Sequence, residues 1–559
     1  MAKTKYVIGL DYGTLSGRAV LVEAATGEIA AQAVKEYPHA VMDRELPCGV
    51  RLEVDWALQH PQDYLDVLTE TVPAVLRQAG IAPQEVIGLS IDFTASTVLP
   101  IDRDGTPLCF LPAFEARPHA YVKLWKHHAA QPEADEINAL LAARGEIDLP
   151  RYGGKISSEL TLPKALQILR EDPEIYQCAD QILEASDWLT FLLTGSRRRT
   201  GSTAGYKAMW LEGEGYPEQA FLRALDPRLE TYPEDKLSED ICPVGSRIGE
   251  LNPAWAEKLG LLPGTAVGAS IIDAHAGLPG CGITKPGQML LIIGTSSVQA
   301  ALSDRPYSGG GICGAVKGGI MPGYYALESG LAGVGDIFGW FVNHCVPAAY
   351  HEQAKGAGCG MHEYLTRLAE KLVPGESGLL ALDWWSGNKT PFVDVDLSGM
   401  IVGYTLSTRP EEVYRALIEA TGFGTRLIME AFEDAGVLVD EIRACGGIVE
   451  KNPLLMQIYA DITNREIKVA ASQQTAALGA AMYAAVAAGS ERGGYDSIFD
   501  AAQAMGRIQE KTYRPIPAHV AVYETLYREY CQLKDYFGAK NPVMKTLKQI
   551  RQQAWRQSV

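Results

Sequence analysis

A short stretch near the start of the chain, between residues 9 and 18, combines glycines, hydroxyls and two opposite charges in a way that suits phosphate chemistry. Glycine lacks a Cβ, so it lets backbone N–H groups approach an anion closely, and hydroxyls add further donors. Arginine offsets phosphate charge, and an aspartate at a strand end suits a magnesium ion held through water. A plain hairpin turn without a ligand is the alternative. The residues concerned are Asp11, Gly13, Thr14, Ser16, Gly17 and Arg18.

A second turn, Gly294-Thr295-Ser296-Ser297, has a similar composition and also follows an apolar strand. Alone it indicates no more than a turn. It becomes informative when compared with the first turn, because the same succession of apolar strand, turn and apolar strand occurs near residue 10 and again near residue 294. Each occurrence opens a section of domain size. This weak internal repeat predicts a duplicated α/β domain in which each copy presents a hairpin to a shared cleft.

Two further segments supply residues for the remaining parts of such a site. Gly446 and Gly447 stand between a predicted strand and a helix, where they would let a flat ring approach the backbone or merely make a tight connection. Asp273 follows two isoleucines at the end of a buried strand, where active sites of open α/β sheets lie. Phosphoryl transfer needs such a carboxylate to orient the acceptor hydroxyl and take its proton, although a helix N-cap is the alternative role. His275 is expected to be structural.

Three common signatures are absent from the sequence. Gly153-Gly154-Lys155 is followed by Ile156 and lacks the upstream glycine of a P-loop. The sequence contains no H-E-x-x-H, and no G-x-G-x-x-G opens a helix after a first strand. P-loop NTPase, zinc protease and dinucleotide-dehydrogenase functions therefore lose support.

The bulk composition of the chain limits the classes of partner and the cellular location that can be expected. With 559 residues it can hold two or more domains, and its 47% hydrophobic and 21% charged fractions are ordinary for a globular protein. A net charge of -18 repels nucleic acid and anionic lipid, so neither nucleic acid nor a membrane is expected as a partner. Ten cysteines are scattered without a C-x-x-C pair, which fits a reducing compartment. No run reaches the ~18 apolar residues of a membrane span, and the expected location is the cytoplasm.

Hydrophobic patterning predicts the elements that must position these residues. The predicted strands are Tyr6–Leu10, Arg18–Glu23, Glu28–Glu36, Val86–Asp92, Ser96–Ile101, Gly264–Ile272, Gln288–Ile293, Val298–Leu302 and Ile442–Cys445. The predicted helices are Pro61–Ala79, Leu160–Arg170, Asp187–Leu193, Glu411–Ala435, Pro453–Thr463 and Ala476–Ala488. The strands at 86–92 and 96–101 are expected to pair with each other. The Ala-rich stretch 475–489 is expected to pack as a helix.

These four segments, in this order and spacing, resemble the FGGY family of carbohydrate kinases over nearly the whole chain, from Tyr6 to about Gly489. The resemblance implies two duplicated actin-like (ribonuclease H-like) ATPase domains, with ATP and a sugar in the cleft between them. We expect a sugar-binding first domain over 1–260, a second domain over 261–510 and a helical extension over 511–559. The resemblance also implies magnesium, held through water by Asp11 and Asp273, and a homodimer as a family expectation.

Four more stretches are similar to the branch of the family that phosphorylates the terminal (C5) hydroxyl of L-ribulose in L-arabinose catabolism. They are Trp56–Tyr64, Ser90–Thr97, Ala116–Ala120 and Lys451–Asp461. Two departures disfavour a xylulose or glycerol substrate: Gln167 stands three residues after Lys164 where many members have Trp, and Asp92-Phe93-Thr94 replaces a Gln-Met-His stretch. The alternatives are a kinase for D-ribulose, ribitol or another pentulose or pentitol, and an actin-fold ATPase without a sugar substrate.

Residue roles follow from the same resemblance. Asp273 is expected to be the catalytic base. The sugar is expected to contact Ala95, Lys207, Asp273 and Glu328. The nucleotide is expected to contact Asp11, Gly13, Thr14, Ser16, Arg18, Gly294, Thr295, Gly335, Gly339, Gly446, Gly447 and Asn452.

Overall fold

The first half of the chain forms a mixed sheet covered by helices. The computed structural model describes residues 4–145, 149–307 and 312–558. The strands of the first half are Tyr6–Tyr12 (β1), Ser16–Glu23 (β2), Ile29–Glu36 (β3), Leu58–Gln59 (β4), Val86–Phe93 (β5), Val98–Ile101 (β6), Val122–Lys123 (β7), Gln181–Glu184 (β8), Arg199–Thr200 (β9), Ile241–Cys242 (β10), Arg247–Glu250 (β11), Ala266–Gly268 (β12) and Ile271–Ile272 (β13). Its helices are Pro61–Ala79 (α1), Gln131–Arg144 (α2), Thr161–Glu171 (α3), Pro173–Cys178 (α4), Ala185–Thr194 (α5), Gly201–Lys207 (α6), Gln219–Leu225 (α7), Tyr232–Lys236 (α8), Pro253–Leu259 (α9) and Asp273–Gly280 (α10).

The main sheet of the first half has the strand order β11-β12-β5-β1-β2-β3, with β13 also paired to β5. Strands β1, β2 and β3 are antiparallel neighbours, whereas β1, β5 and β12 run parallel. Every residue of β5 is buried because helices cover both faces of the sheet, as is usual for parallel strands. Parallel neighbours bring their carboxyl ends to the same edge. The residues at the ends of β1, β5 and β13 therefore lie side by side.

The second half builds a sheet of its own. Its strands are Gly287–Ile293 (β14), Ser297–Ser303 (β15), Gly314–Lys317 (β16), Tyr325–Leu331 (β17), Leu380–Leu382 (β18), Met400–Val402 (β19), Val439–Cys445 (β20), Glu466–Ala470 (β21) and Ile508–Tyr513 (β22). Its helices are Gly335–His344 (α11), Ala348–Gly356 (α12), Met361–Ala369 (α13), Pro410–Asp434 (α14), Gly447–Lys451 (α15), Pro453–Thr463 (α16), Thr475–Ala488 (α17), Ile498–Met505 (α18), Pro517–Asp535 (α19) and Val543–Ser558 (α20).

The two main sheets share one topology. The second has the order β16-β17-β15-β14-β20-β21-β22, with β14, β15 and β17 antiparallel and β14, β20 and β21 parallel. In both sheets the first strand lies in the centre, with two successive antiparallel strands on one side (β2 and β3; β15 and β17) and two parallel strands on the other (β5 and β12; β20 and β21). This is the duplication that the internal repeat predicted, and the predicted pair of actin-like domains is confirmed.

Helix α17 belongs to the second half in sequence but packs on the first sheet, against β1 and β5. The approach is close, because a Cβ on Gly9 would lie 1.9 Å from the carbonyl oxygen of Ala477. On its other side, a Cβ on Gly479 would lie 1.9 Å from the carbonyl oxygen of Ala276 in α10. Larger side chains at these contacts would push the layers apart. The Ala-rich stretch is thus the packed helix that its composition predicted.

Two predicted strands differ from the observed ones. The strands at 86–92 and 96–101 do not pair with each other, because β6 joins β4, β7 and β8 in a separate four-stranded sheet. The strand predicted over 264–272 is interrupted and forms β12 and β13. Local apolar patterning does not reveal a strand's partner, since pairing depends on long-range packing. The other predicted elements agree with the observed bounds within three residues.

The chain ends in α19 and α20. Helix α19 buries Tyr523, Tyr527 and Tyr530 in the hydrophobic core of the second half, and α20 adds Met544 to the same core. All ten cysteines are free thiols. Among the described residues, no helix combines the length and the apolar character that crossing a membrane requires.

Candidate active site

Three aspartates lie at adjoining strand ends in the first sheet. Asp11 in β1 stands directly across from Asp92 in β5, and Asp273 follows β13, which pairs with the end of β5. Asp92 has no exposed surface, and apart from Asp11 its carboxyl oxygens have no hydrogen-bond partner among the described residues. Burial, with the charges of Asp11 and Asp273, raises the pKa of Asp92 well above its usual range. Sequence patterning does not indicate that Asp92 faces Asp11, because only the strand register shows it.

Asp273 is the first residue of α10, and its Oδ1 accepts a hydrogen bond from the Ala274 N–H at 2.7 Å. Burial and the nearby Asp11 carboxylate raise the pKa of Asp273 to about 7. A carboxyl with this pKa can accept a proton from a hydroxyl near neutral pH, as a general base must. The electrostatics therefore suit the role predicted for Asp273, which stays a prediction.

Arg18 connects the acids of the first half with a loop of the second half. Its Nε lies 3.3 Å from Asp11 Oδ2, and its Nη1 donates to Gln474 Oε1 at 2.9 Å. Burial raises the pKa of Asp11, and the positive charge of Arg18 opposes that rise. Arg18 is thus already partnered, so a phosphate bound to it would share the guanidinium with Asp11.

The first turn is held in place by backbone and side-chain hydrogen bonds together. The Gly13 N–H donates to the Ser16 carbonyl oxygen at 3.0 Å, which closes the hairpin between β1 and β2. At the tip, Thr14 Oγ1 accepts a hydrogen bond from Trp125 Nε1 at 3.2 Å. The Thr14 carbonyl oxygen accepts another from Gln59 Nε2 at 2.7 Å. These two contacts fix the turn against the smaller sheet that contains β4 and β7.

Gly17, at the start of β2, is explained by packing. A Cβ on Gly17 would lie 2.6 Å from a methyl carbon of Val67 in α1. The helix can therefore lie close to β2 only because this residue has no side chain. The sequence suggested that Gly17 serves phosphate approach, but its contact with α1 requires glycine whether or not a ligand binds.

The second turn is held in place by backbone hydrogen bonds. The first residues of α11 dock on it: the Gly335 N–H donates to the Gly294 carbonyl oxygen at 3.1 Å, and the Asp336 N–H donates to that of Thr295 at 3.2 Å. Thr295 and Ser296 are exposed at the tip of the turn. Their hydroxyls are therefore accessible to a ligand.

Glycines of the predicted nucleotide set gather around the second turn. Gly446 has a φ of +107°, and a Cβ there would lie 2.4 Å from the carbonyl oxygen of Ile293. A Cβ on Gly335 would lie 2.7 Å from the carbonyl oxygen of Gly294, the first residue of the second turn. These two glycines let β20 and α11 pack against the turn. Cβ atoms on Gly339 and Gly447 would meet no atom within 4 Å, so these two residues border open space.

Asn452 has structural partners of its own. Its Oδ1 accepts a hydrogen bond from the Leu455 N–H at 3.0 Å and so caps α16. Its Nδ2 lies 3.5 Å from Thr366 Oγ1 in α13. Capping explains this buried residue without a ligand, and its predicted contact with adenosine stays a prediction.

Glu328 in β17 is held as an anion. His275 Nε2 donates to Glu328 Oε2 at 2.7 Å, and the His275 ring is fully buried at 4.4 Å from the ring of Tyr206. Burial opposes the ionisation of Glu328, but the positive charge of Lys207 and the hydrogen bond from His275 prevail and lower its pKa. Burial also lowers the pKa of His275, which is therefore a neutral donor. This agrees with the expectation that His275 is structural.

Lys207, at the end of α6, acts on two predicted site residues at once. Its charge lowers the pKa of Glu328 and opposes the rise in the pKa of Asp273, which Asp11 and Glu328 promote. Three predicted residues from both halves therefore lie within electrostatic reach of Asp273. They are Asp11, Lys207 and Glu328.

Ala95 lies in the loop between β5 and β6, and a buried lysine holds that loop in place. Lys164 Nζ donates to the carbonyl oxygens of Ser96 at 2.5 Å and of Leu124 at 2.9 Å. Burial lowers the pKa of Lys164 to about 8. The sequence presented Lys164 only as part of a departure from other kinases, and its bond to the Ala95 loop depends on the fold.

Comparison with known proteins agrees with this arrangement. Residues 6–280 match the N-terminal domain of the FGGY family of carbohydrate kinases, and residues 289–488 match its C-terminal domain. A ribulokinase of Anoxybacillus flavithermus is 56% identical to this chain over 552 residues, with 98% of each chain covered. A ribulokinase of Geobacillus thermodenitrificans is 56% identical over 552 residues, again with 98% of each chain covered.

Among solved structures, a xylulose kinase from Rhodospirillum rubrum is similar with a TM-score of 0.78 and 25% identity, covering 95% of this chain and 98% of that one. The similarity therefore extends over both halves and the cleft between them. The predicted sugar kinase, with ATP as its phosphate donor, is confirmed. The chain belongs to the FGGY family of carbohydrate kinases.

Proposed function

We propose that this sugar kinase transfers the γ-phosphate of ATP to the terminal (C5) hydroxyl of L-ribulose and so produces L-ribulose 5-phosphate for L-arabinose catabolism. Full-length similarity to proteins named ribulokinase supports ribulose as the sugar. One observation supports the chemistry most directly: Asp273 is a half-buried carboxyl with a pKa of about 7, close to Lys207 and Glu328.

Each polar group of the proposed sugar site has a distinct role. Asp273 orients the terminal hydroxyl and takes its proton as the hydroxyl oxygen attacks the γ-phosphorus in line. Glu328 accepts hydrogen bonds from sugar hydroxyls, and Lys207 donates to them. Ala95 lines the site. Because Glu328 is already ionised and held by His275, binding the sugar requires no rearrangement of these charges.

The nucleotide is proposed to lie between the two turns. Exposed hydroxyls at the second turn and the open space beside Gly339 and Gly447 support this placement. The proposed contacts with the phosphates are Asp11, Gly13, Thr14, Ser16, Arg18, Gly294 and Thr295. The proposed contacts with the adenosine are Gly335, Gly339, Gly446, Gly447 and Asn452.

The acids of the first sheet suit a magnesium ion. Asp11 and Asp273 offer carboxylate oxygens, and the neighbouring Asp92 oxygens have no partner among the described residues other than Asp11. Mg²⁺ prefers such hard oxygen donors and keeps several waters. We propose that Asp11 and Asp273 hold the ion through water. When bound, it would neutralise charge on the transferred phosphoryl group.

The sequence predicted domains over 1–260, 261–510 and 511–559, but β12 and β13 belong to the first sheet, so we propose that the first domain extends through α10 to about residue 280. Closure of the cleft between the first two would exclude water, which otherwise hydrolyses the γ-phosphate. The homodimer and the cytoplasmic location stay predictions. Membership of a sugar kinase family removes the support for an actin-fold ATPase without a small substrate.

A panel of sugars tests the proposal. ADP release would be measured with ATP and Mg²⁺ against L-ribulose, D-ribulose, ribitol and D-xylulose, and the position of the phosphate on the product would be read by NMR. We expect kcat/KM for L-ribulose to exceed that for the other sugars by about tenfold or more. Preference for another sugar, ADP release that no sugar stimulates, or phosphate on another carbon would contradict the proposal.

A further inference from the structure

Lys389 lies in the loop between β18 and β19, in a segment that no sequence motif singled out. A Cβ on Gly330 would lie 3.7 Å from Lys389 Nζ. Gly330 pairs with Val298, the residue that follows the second turn. The negative charge of Glu328, two residues before Gly330, also acts on this ammonium group. Lys389 therefore stands between the turn that is proposed to bind phosphate and the carboxylate that is proposed to bind the sugar.

The loop holds Lys389 rigidly through its two neighbours. Asn388 exchanges two backbone hydrogen bonds with Asp394, at 2.9 and 2.8 Å, and its Nδ2 donates to the Thr390 carbonyl oxygen at 2.8 Å. The Thr390 hydroxyl lies 2.7 Å from the hydroxyl of Ser329 in β17. Both residues that flank Lys389 are buried and tied, so the stem of the lysine starts from a fixed position.

The ammonium group itself is not satisfied by the protein. Lys389 is half-buried, and within the described parts of the chain no atom accepts a hydrogen bond from its Nζ. Burial disfavours the charged form, but the nearby Cys313, Glu328 and Glu159 outweigh it and raise the pKa of Lys389. A partly desolvated cation without a hydrogen-bond acceptor is unfavourable, and an incoming ligand with anionic oxygens would remove that cost.

We propose that Lys389 binds the phosphoryl group on its way from ATP to the sugar. Its Nζ contacts an oxygen of the γ-phosphate before transfer and an oxygen of the sugar phosphate afterwards, and no bond to nitrogen forms. The bond between the phosphorus and the ADP oxygen breaks, the bond to the sugar oxygen forms, and Asp273 takes the hydroxyl proton. A lysine acts here as a point charge that can follow the moving group. This inference rests on the proposed function for the identity of the sugar.

Two substitutions and one control separate this role from a structural one. Lys389→Met keeps the stem and removes the charge, Lys389→Arg keeps the charge, and Lys371→Met removes an exposed lysine of the same half as a control. We expect Lys389→Met to lower kcat about 100-fold or more while KM for the sugar changes less than about threefold. Lys389→Arg should recover about a tenth of the activity, and Lys371→Met should behave as the wild type.

Binding of the product gives a second, independent readout. By titration calorimetry, Lys389→Met should weaken binding of L-ribulose 5-phosphate about tenfold or more and leave the affinity for L-ribulose unchanged. Unchanged thermal unfolding and ADP binding would show that the variant is folded. An unchanged kcat, an unchanged affinity for the product, or a rise in KM for the sugar alone would overturn the inference.

Failure of the proposed function would look different. In that case the wild type itself would not phosphorylate L-ribulose. The same comparison of Lys389→Met with the wild type would then use the sugar that is accepted and its phosphate, so the role of Lys389 is tested whichever sugar the kinase prefers.

Discussion

The turn at residues 13–16 and the turn at residues 294–297 each follow the central strand of their sheet, and the two sheets share the same central arrangement, yet the turns are supported in different ways. Side chains contribute to the support of the first: Trp125 and Gln59 bond to Thr14, and the pair of Arg18 and Asp11 lies just behind it. Backbone N–H groups from the start of α11 hold the second. The two copies of the fold thus share the central arrangement of their strands, but different contacts hold the equivalent turn in each copy.

The difference divides the chemistry between the halves. The first sheet gathers Asp11, Asp92 and Asp273, so it supplies charge and the proposed base. The second sheet supplies a closely packed turn, because Gly446 and Gly335 let β20 and α11 approach it. Substitutions in the first region should therefore act mainly on catalysis, and those in the second mainly on folding stability and nucleotide affinity.

The largest expected effect comes from the first region. Asp273→Asn removes the proposed base and should lower kcat about 1,000-fold or more, because proton transfer by a positioned group contributes factors of about this size. Affinity for ADP, measured by calorimetry, should change less than about threefold. The exposed Asp304→Asn is the matched control. A kcat within about tenfold of the wild type would remove Asp273 from this role.

The second region should respond through its glycines. Gly446→Ala places a Cβ against the Ile293 carbonyl oxygen at a positive φ, so we expect it to lower the free energy of unfolding by about 2–4 kcal/mol. Gly447→Ala has open space and should cost less than about 1 kcal/mol. If the nucleotide lies there, the second variant should weaken ADP binding despite its normal stability. Urea unfolding and calorimetry would measure both quantities, and equal losses of stability would refute the distinction.

A buried lysine lies two residues before Trp125, in the smaller sheet beside the first turn. Lys123, in β7, is fully buried, with its Nζ 4.3 Å from the centre of the Trp56 ring and without a hydrogen-bond partner in the described structure. Burial lowers the pKa of Lys123 to about 7. Lys123→Met should therefore raise the free energy of unfolding by about 1–3 kcal/mol at pH 7.

The sign of the pH dependence follows from the same pKa. Between pH 7 and about pH 10 the unfolded chain binds a proton at Lys123 that the folded chain has released, so wild-type stability should rise with pH in this window. The advantage of Lys123→Met should shrink between pH 7 and pH 9 in urea unfolding. A constant difference across these pH values would show that Lys123 is not the group responsible.

The smallest effects should come from the hydroxyls of the two turns. Thr14→Val removes the acceptor of the Trp125 N–H, whereas Thr295→Val removes an exposed hydroxyl without a structural partner in the described chain. Each should raise KM for ATP about fivefold, since one hydrogen bond is worth about 1 kcal/mol. Only Thr14→Val should also lower the melting temperature. Identical changes in melting temperature would erase the contrast between the turns.

The features that could be predicted from the sequence are those that a short stretch of residues specifies by its own pattern. Asp11 and Asp273 each follow an apolar strand, and the two turns carry glycine and hydroxyls, so a short window of sequence contains the whole signal. The duplicated topology was predictable for the same reason, because the repeat of strand, turn and strand marks the start of each half. Long, periodic helices such as α1 and α16 were also predicted with correct bounds.

The remaining features depend on contacts between distant segments. Asp92 faces Asp11 only through the parallel register of β1 and β5, and Lys389 reaches Glu328 from a loop about sixty residues away. The role of Gly17 in packing against α1 has the same origin. Local patterning contains no information about such partners, since tertiary packing decides them.

The position of α17 has a consequence for synthesis of the protein. Its contact with β1 and β5 means that one apolar face of the first sheet stays uncovered until residue 488 has emerged from the ribosome. The strands of that sheet end at Ile272, so about 200 further residues must be translated, which takes roughly 10–40 s at typical bacterial and eukaryotic rates. During this interval the nascent chain exposes an apolar face that is prone to aggregation. The first half can complete its folding only after α17, which belongs to the second half in sequence, has been synthesised and has packed on the first sheet.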